Sequence, residues 1–221
     1  MTGAEPVRDA ARGRLTEVFL PAAALLLLVV VLLLTTLSGR APAGDPVPAE
    51  DSVAVGFSRD MAVHHQQAVE MSLAVLRAGA SPQVRTLAYD IANTQATQRG
   101  MMLGWLQTWG RTATAGGQAM RWMDMPRPSA ADRRAGVLMP GMADRADMAR
   151  LSAAHGRQAD LLYLRLMIDH HRGGVHMAEA VTADGGTPQT VLRLAQGMVR
   201  GQRAEIALME TLLTDLGADS P

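Results

Sequence analysis

The sequence predicts an all-α protein: two tandem helical hairpins forming a four-helix bundle, preceded by one N-terminal transmembrane helix. Three observations lead there. The 221 residues include only 3 Trp, 2 Tyr and 2 Phe against 15 Met. A β-sandwich or barrel core is hard to fill with so few aromatics, whereas the Ala, Leu, Arg, Gln and Met that dominate are good helix formers. One long stretch near the start is apolar on every face, and the rest of the chain contains the same motif twice.

Charge and cysteine content narrow the function. The 21 basic residues are all Arg and are balanced by 21 acidic ones, so the formal net charge is zero. A nucleic-acid binder working by bulk charge needs a basic excess, and none is present. With no Cys, disulfide scaffolds, thiolate zinc sites, iron–sulfur clusters and thiol enzymes are excluded.

Residues 1–17 read as a cytoplasmic N-terminus carrying Arg8, Arg12 and Arg14. The following segment, 18–38, is free of charge, and about 20 helical residues span roughly 30 Å, one hydrocarbon core. Basic residues before it favour the N-terminus inside and the remainder outside. Ala41-Pro42-Ala43 resembles a cleavage site with Gly44 following, but the apolar run exceeds the usual signal-peptide core of about 7–15 residues, which favours an anchor. Either way the remaining chain is extracytoplasmic. Residues 39–51, with three prolines and two glycines, read as an extended linker.

The region 52–217 is the expected bundle. Met61-Ala-Val-His64-His65-Gln-Gln-Ala68-Val69-Glu-Met71 and Met167-Ile-Asp-His170-His171-Arg-Gly-Gly174-Val175-His-Met177 both read M-x-x-H-H-x-x-x-V-x-M. Each is followed by a glycine-containing break, in which Ser81 and Thr187 suit an N-cap with Pro82 and Pro188 at the first helical position. The next helices match too: Leu87, Ile91, Gln95, Gln98 and Met102 correspond to Leu194, Met198, Gln202, Glu205 and Met209. The hairpins are therefore expected at about 52–78 with 82–109 and about 157–183 with 188–216. A Met-rich crossover, 111–156, joins them, with a short helix near 144–154.

At about 100° per residue, Met61, His64, His65, Ala68 and Met71 fall within an arc of roughly 120°, the width of a core-facing stripe. Met167, His170, His171, Gly174 and Met177 do the same, while Glu70 and His176 face away. Ala68 and Gly174 are expected to leave space beside the imidazoles. Polar residues on an inward stripe need partners, and Gln95, Gln98, Gln202 and Glu205 on the adjacent helices offer the histidines an amide or carboxylate.

The pattern points to a metal site. Imidazole suits copper, nickel and zinc, and thioether sulfur favours Cu(I). The expected ligands are Met61, His64, His65, Met71, Met167, His170, His171 and Met177. A second tier comprises Met102, Glu205 and Met209, with the crossover residues Met120, Met123, Met125, Met139 and Met142. Against this stands a bland alternative, in which the methionines fill the core and the histidines are buried hydrogen-bonding groups. A catalytic role has less support. Carboxylate-bridged di-iron bundles need Glu-x-x-His, which does not occur among the seven Glu, and no nucleophile motif is present.

At these residues the chain resembles the bacterial family called domain of unknown function 305, over roughly 53–217. The most specific match runs Leu164-Arg-Leu-Met167-Ile168-Asp169-His170-His171-Arg172-Gly173-Gly174-Val175-His176-Met177-Ala178, supported by Gly141-Met142, Asp160 and Trp105. The resemblance implies a ferritin-like four-helix bundle, exported or membrane-anchored, and for some members copper binding through Met and His with a role in copper tolerance. Gly174 departs from the family's usual Ala. The combined expectation is an extracytoplasmic copper-binding protein, Cu(I) or Cu(II), that sequesters or delivers metal. Its partners are a metal ion and, through the N-terminal helix, the membrane, with no nucleic acid and no protein partner identified. A metal-dependent redox enzyme and a metal-free interaction module of an envelope complex are the alternatives.

Overall fold

The structure, a computed structural model, describes residues 46–114 and 119–218. The expected segments 1–17 and 18–38, and the first part of the linker, lie outside these. The described residues are helical, with no strand among them, and among them no helix is long and apolar enough to cross a membrane.

Helices α1 (Val53–Arg77) and α2 (Pro82–Thr108) form one hairpin. A crossover with two short helices, α3 (Ala130–Ala135) and α4 (Arg145–Ala153), leads to the second, α5 (Gly156–Thr182) with α6 (Gln189–Asp215). The hairpins meet along α1 and α5, and α2 and α6 pack outside them with little contact of their own. Gly156, opening α5, donates its amide proton to the Ala78 carbonyl just beyond α1 (2.8 Å). The two central helices are thus antiparallel.

Local signals set most helix ends. The Ser52 hydroxyl accepts from Val55 N at the start of α1, and the Asp144 carboxylate accepts from Asp147 N at the start of α4 (2.7 Å). Two expectations need correction. Pro188, not Thr187, holds the N-cap position of α6, because the Thr187 hydroxyl is spent on the Asp184 carboxylate (2.6 Å). Ser81 stands at the N-cap of α2 but makes no side-chain cap; its backbone N–H instead donates to Asp160 Oδ2 (3.1 Å), tying this turn to α5. Helix α3 was not foreseen. It buries no residue and rests on a capping box between Ser129 and Asp132, so hydrophobic periodicity carries no trace of it.

The core has two apolar clusters. One gathers Met71, Ile91, Tyr163, Leu164, Met167, Met209 and Leu213. The other gathers Phe57, Met61, Met102, Met120, Met139, Met177 and Met198. Since α1 and α5 are antiparallel, Met61 shares a cluster with Met177 and Met71 with Met167. His64/His65 and His170/His171 fall between these methionines on both helices and form a polar layer between the two clusters.

Candidate metal centre

All four histidines of the repeat are fully buried, as the inward stripe requires, while Glu70 and His176 are exposed. Each imidazole makes one hydrogen bond through Nε2. His65 donates to Gln98 Oε1 (2.7 Å) and His171 to Glu205 Oε2 (2.7 Å), the cross-helix pairing anticipated from the stripes. The other two use backbone oxygens instead. His64 donates to the Pro140 carbonyl (3.0 Å) and His170 to the carbonyl of His64 itself (3.0 Å). The His64 and His170 rings lie 3.8 Å apart between centroids, inclined by 32°.

These partners fix the tautomers. Carbonyl, carboxylate and amide oxygens only accept, so every Nε2 carries a proton, and in a neutral ring Nδ1 is then the lone pair. All four Nδ1 atoms are buried without a hydrogen-bond partner. Gln95 on α2 has neither amide atom partnered, and Gln202 on α6 has an unpartnered Oε1. Buried polar atoms are normally satisfied, so this concentration of unpaired acceptors in one layer marks it as a place for a cation or proton donor.

Burial dominates the acid–base behaviour of the layer. Desolvation lowers His64 to about 4, only partly offset by its bond to Pro140. Desolvation also lowers His65 to about 3, with His64 adding to the effect. His170 is held well below its ordinary value by burial, then by the neighbouring imidazoles. At neutral pH these three rings are neutral, the form that ligates metals.

The thioethers divide between the two sides of the layer. Met61, Met102, Met120, Met139 and Met177 are buried on one side, with Met123, Met125 and Met142 packed against them and partly buried. Met71, Met167 and Met209 are buried on the other. Among the described residues no three His, Asp or Glu side chains form a group that could hold a metal ion.

The crossover reaches the layer through features the sequence did not disclose. Besides the Pro140 carbonyl on His64, Gln67 clamps the Ala143 peptide from both sides, its Nε2 donating to Ala143 O (2.9 Å) and its Oε1 accepting from Ala143 N (2.8 Å). Gly173, at the place in α5 matching Gln67, lets the Pro140 carbonyl lie against the helix where any side chain would overlap it. Gly141, at φ 75°, likewise abuts the Asp169 carbonyl. Upstream, Asp60 Oδ2 accepts from Met120 N (2.7 Å) and Trp122 Nε1 (2.8 Å). The place of Gln67, three residues after His64, was the available signal. The space expected beside Gly174 is not empty: the Gln202 amide oxygen fills it.

Fold and site together define a helical bundle with a buried layer of histidine and methionine. The chain belongs to the family described as domain of unknown function (DUF305), whose model matches residues 54–213. Among solved structures it is similar to a DUF305 protein from Streptomyces coelicolor, named as a candidate secreted protein. That pair shares 48% identity over 78% of this chain and 99% of the other, with a TM-score of 0.70. A DUF305 fragment from Deinococcus radiodurans is 32% identical over 74% of this chain and 96% of its own, with a TM-score of 0.60. CopM in a Cu(II)-bound form is 24% identical over 74% and 97%, with a TM-score of 0.57, a likeness of fold. No match to a curated protein emerges.

Proposed function

We propose that the chain is an extracytoplasmic copper-binding protein that sequesters or delivers the ion through Met and His ligands. One observation carries the reading: four fully buried imidazoles, each with its Nε2 proton committed, leave four Nδ1 lone pairs with no partner. An interior that solvates no charge but offers neutral nitrogen and sulfur donors suits a soft or borderline ion. CopM, which shares the fold, has Cu(I)-, Cu(II)- and Ag-bound forms. The primary ligands are His64, His65, His170 and His171 with Met61, Met71, Met167 and Met177. Met102, Met209 and the crossover methionines form the second tier, and Glu205 acts on His171. We assign 18–38 as a membrane anchor, 39–51 as its linker and 52–217 as a ferritin-like bundle. The name given to the Streptomyces coelicolor relative supports export.

Separate titrations with Cu(I) and Cu(II) test this. Replacing Met61, Met71, Met167 and Met177 by Leu roughly preserves volume, so the fold persists. That variant loses Cu(I) affinity more than Cu(II) affinity, because thioether favours the soft ion. Replacing the four histidines by Gln weakens both. Unchanged Cu(I) binding in the four-Leu variant would reduce these methionines to packing residues.

A further inference from the structure

The two halves of the histidine layer are copies in sequence but not in chemistry. His65 on α1 donates to the neutral Gln98 amide, whereas His171 on α5 donates to the Glu205 carboxylate. Gln98 and Glu205 hold equivalent places on α2 and α6. About one turn earlier on the same helices stand Gln95 and Gln202, both buried, each with an amide oxygen that has no partner. Their settings differ as well. Ala68 stands on α1 where α5 has Gly174, and the Gln202 oxygen occupies the place a side chain at Gly174 would take. Both halves thus hold an unpartnered amide oxygen, and only the α5–α6 half adds a carboxylate behind its histidine. The α1–α2 half meets its histidine with neutral groups.

We propose that the halves are specialised for different oxidation states of the ion: the α5–α6 half for Cu(II), through Glu205, and the α1–α2 half for Cu(I), through Gln98. The inference rests on the copper-binding reading above. A cation at His171 Nδ1 withdraws density from the ring. A carboxylate on the opposite N–H counters this, raising the ligand's basicity and balancing charge in a medium that screens poorly. That gain grows with the charge of the ion, so a dication profits more than a monocation. Glu205 acts through His171 and is a positioning residue. Gln98 fixes the same tautomer at His65 without adding charge.

The full-length chain and its E205Q and Q98E variants test this. Both changes are nearly isosteric, and circular dichroism checks that the helices persist. Cu(I) is titrated without oxygen against a chromogenic chelator, and Cu(II) is followed by electron paramagnetic resonance. E205Q weakens Cu(II) binding by about 10–100-fold and shifts Cu(I) by less than about threefold. Q98E places a carboxylate behind His65 and adds a second tight Cu(II) equivalent, a gain that a merely structural role for these positions does not produce. Equal effects on both ions in E205Q, or no added Cu(II) in Q98E, would overturn the specialisation and leave copper binding standing. A wild-type chain that binds neither ion would instead overturn the copper reading, and this inference with it.

Discussion

His64, His65 and His170 couple their protonation to the stability of the protein. The unfolded chain takes up a proton on histidine near pH 6.5, whereas the folded state resists until about 4 at His64 and about 3 at His65, chiefly because burial penalises the cation. Acid therefore favours the unfolded chain. Stability is full above pH 6.5 and falls below it, by up to about 1.4 kcal/mol per pH unit for each such histidine. Urea denaturation of the metal-free protein at pH 7.5, 5.5 and 4.5 should show the midpoint dropping at each step, and the loss should shrink when His64 and His65 are replaced by Gln. A flat profile over that range would mean the rings are hydrated in solution. Bound copper should oppose the trend, since it stabilises the neutral rings by mass action.

Among the elements, the hairpins and the crossover were not equally legible. The four long helices announced themselves through apolar periodicity, Pro82, and a repeat that had to be read as structure twice. The inward direction of all four histidines followed from helical geometry, which left Gln95 and Gln202 as open as Gln98 and Glu205 to be their partners. What stayed hidden was anything resting on backbone atoms. No side-chain pattern says that the Pro140 carbonyl accepts from His64, or that His170 bonds the carbonyl of His64. Thr187 illustrates the same limit, because its hydroxyl had two possible partners and took the Asp184 carboxylate. The crossover seam can be tested directly. Gly173→Ala forces a methyl against the Pro140 carbonyl, and overpacking of this kind costs about 1–3 kcal/mol. Chemical denaturation should report that loss, while Gly201→Ala, at an exposed place on α6 with open space around it, should be neutral or slightly stabilising. Equal behaviour of the two would show that the crossover does not lie on α5.

For the whole molecule, the organisation proposed is a bundle held outside the membrane by the N-terminal segment 18–38. A reporter fused after residue 50 should be active only when it folds outside the cytoplasm, as basic flanks before the span direct. Activity inside would reverse the topology and leave the bundle without access to extracytoplasmic copper. Membrane fractionation of the full-length chain separates anchor from cleaved signal, with retention expected for the anchor. The duplication also distributes the site. One half of the layer belongs to each hairpin, and the hairpins meet chiefly along α1 and α5, so the layer exists only once both have docked.

The seam between the crossover and the histidines differs in kind from the rest of the bundle. Pro140 and Ala143 join the layer through three hydrogen bonds, those of His64 and Gln67, while the Met139 and Ala143 side chains are buried in the apolar clusters on either side. The Ala143 amide is buried and bonded to Gln67, so its hydrogen exchange reports any opening that parts the crossover from the first hairpin.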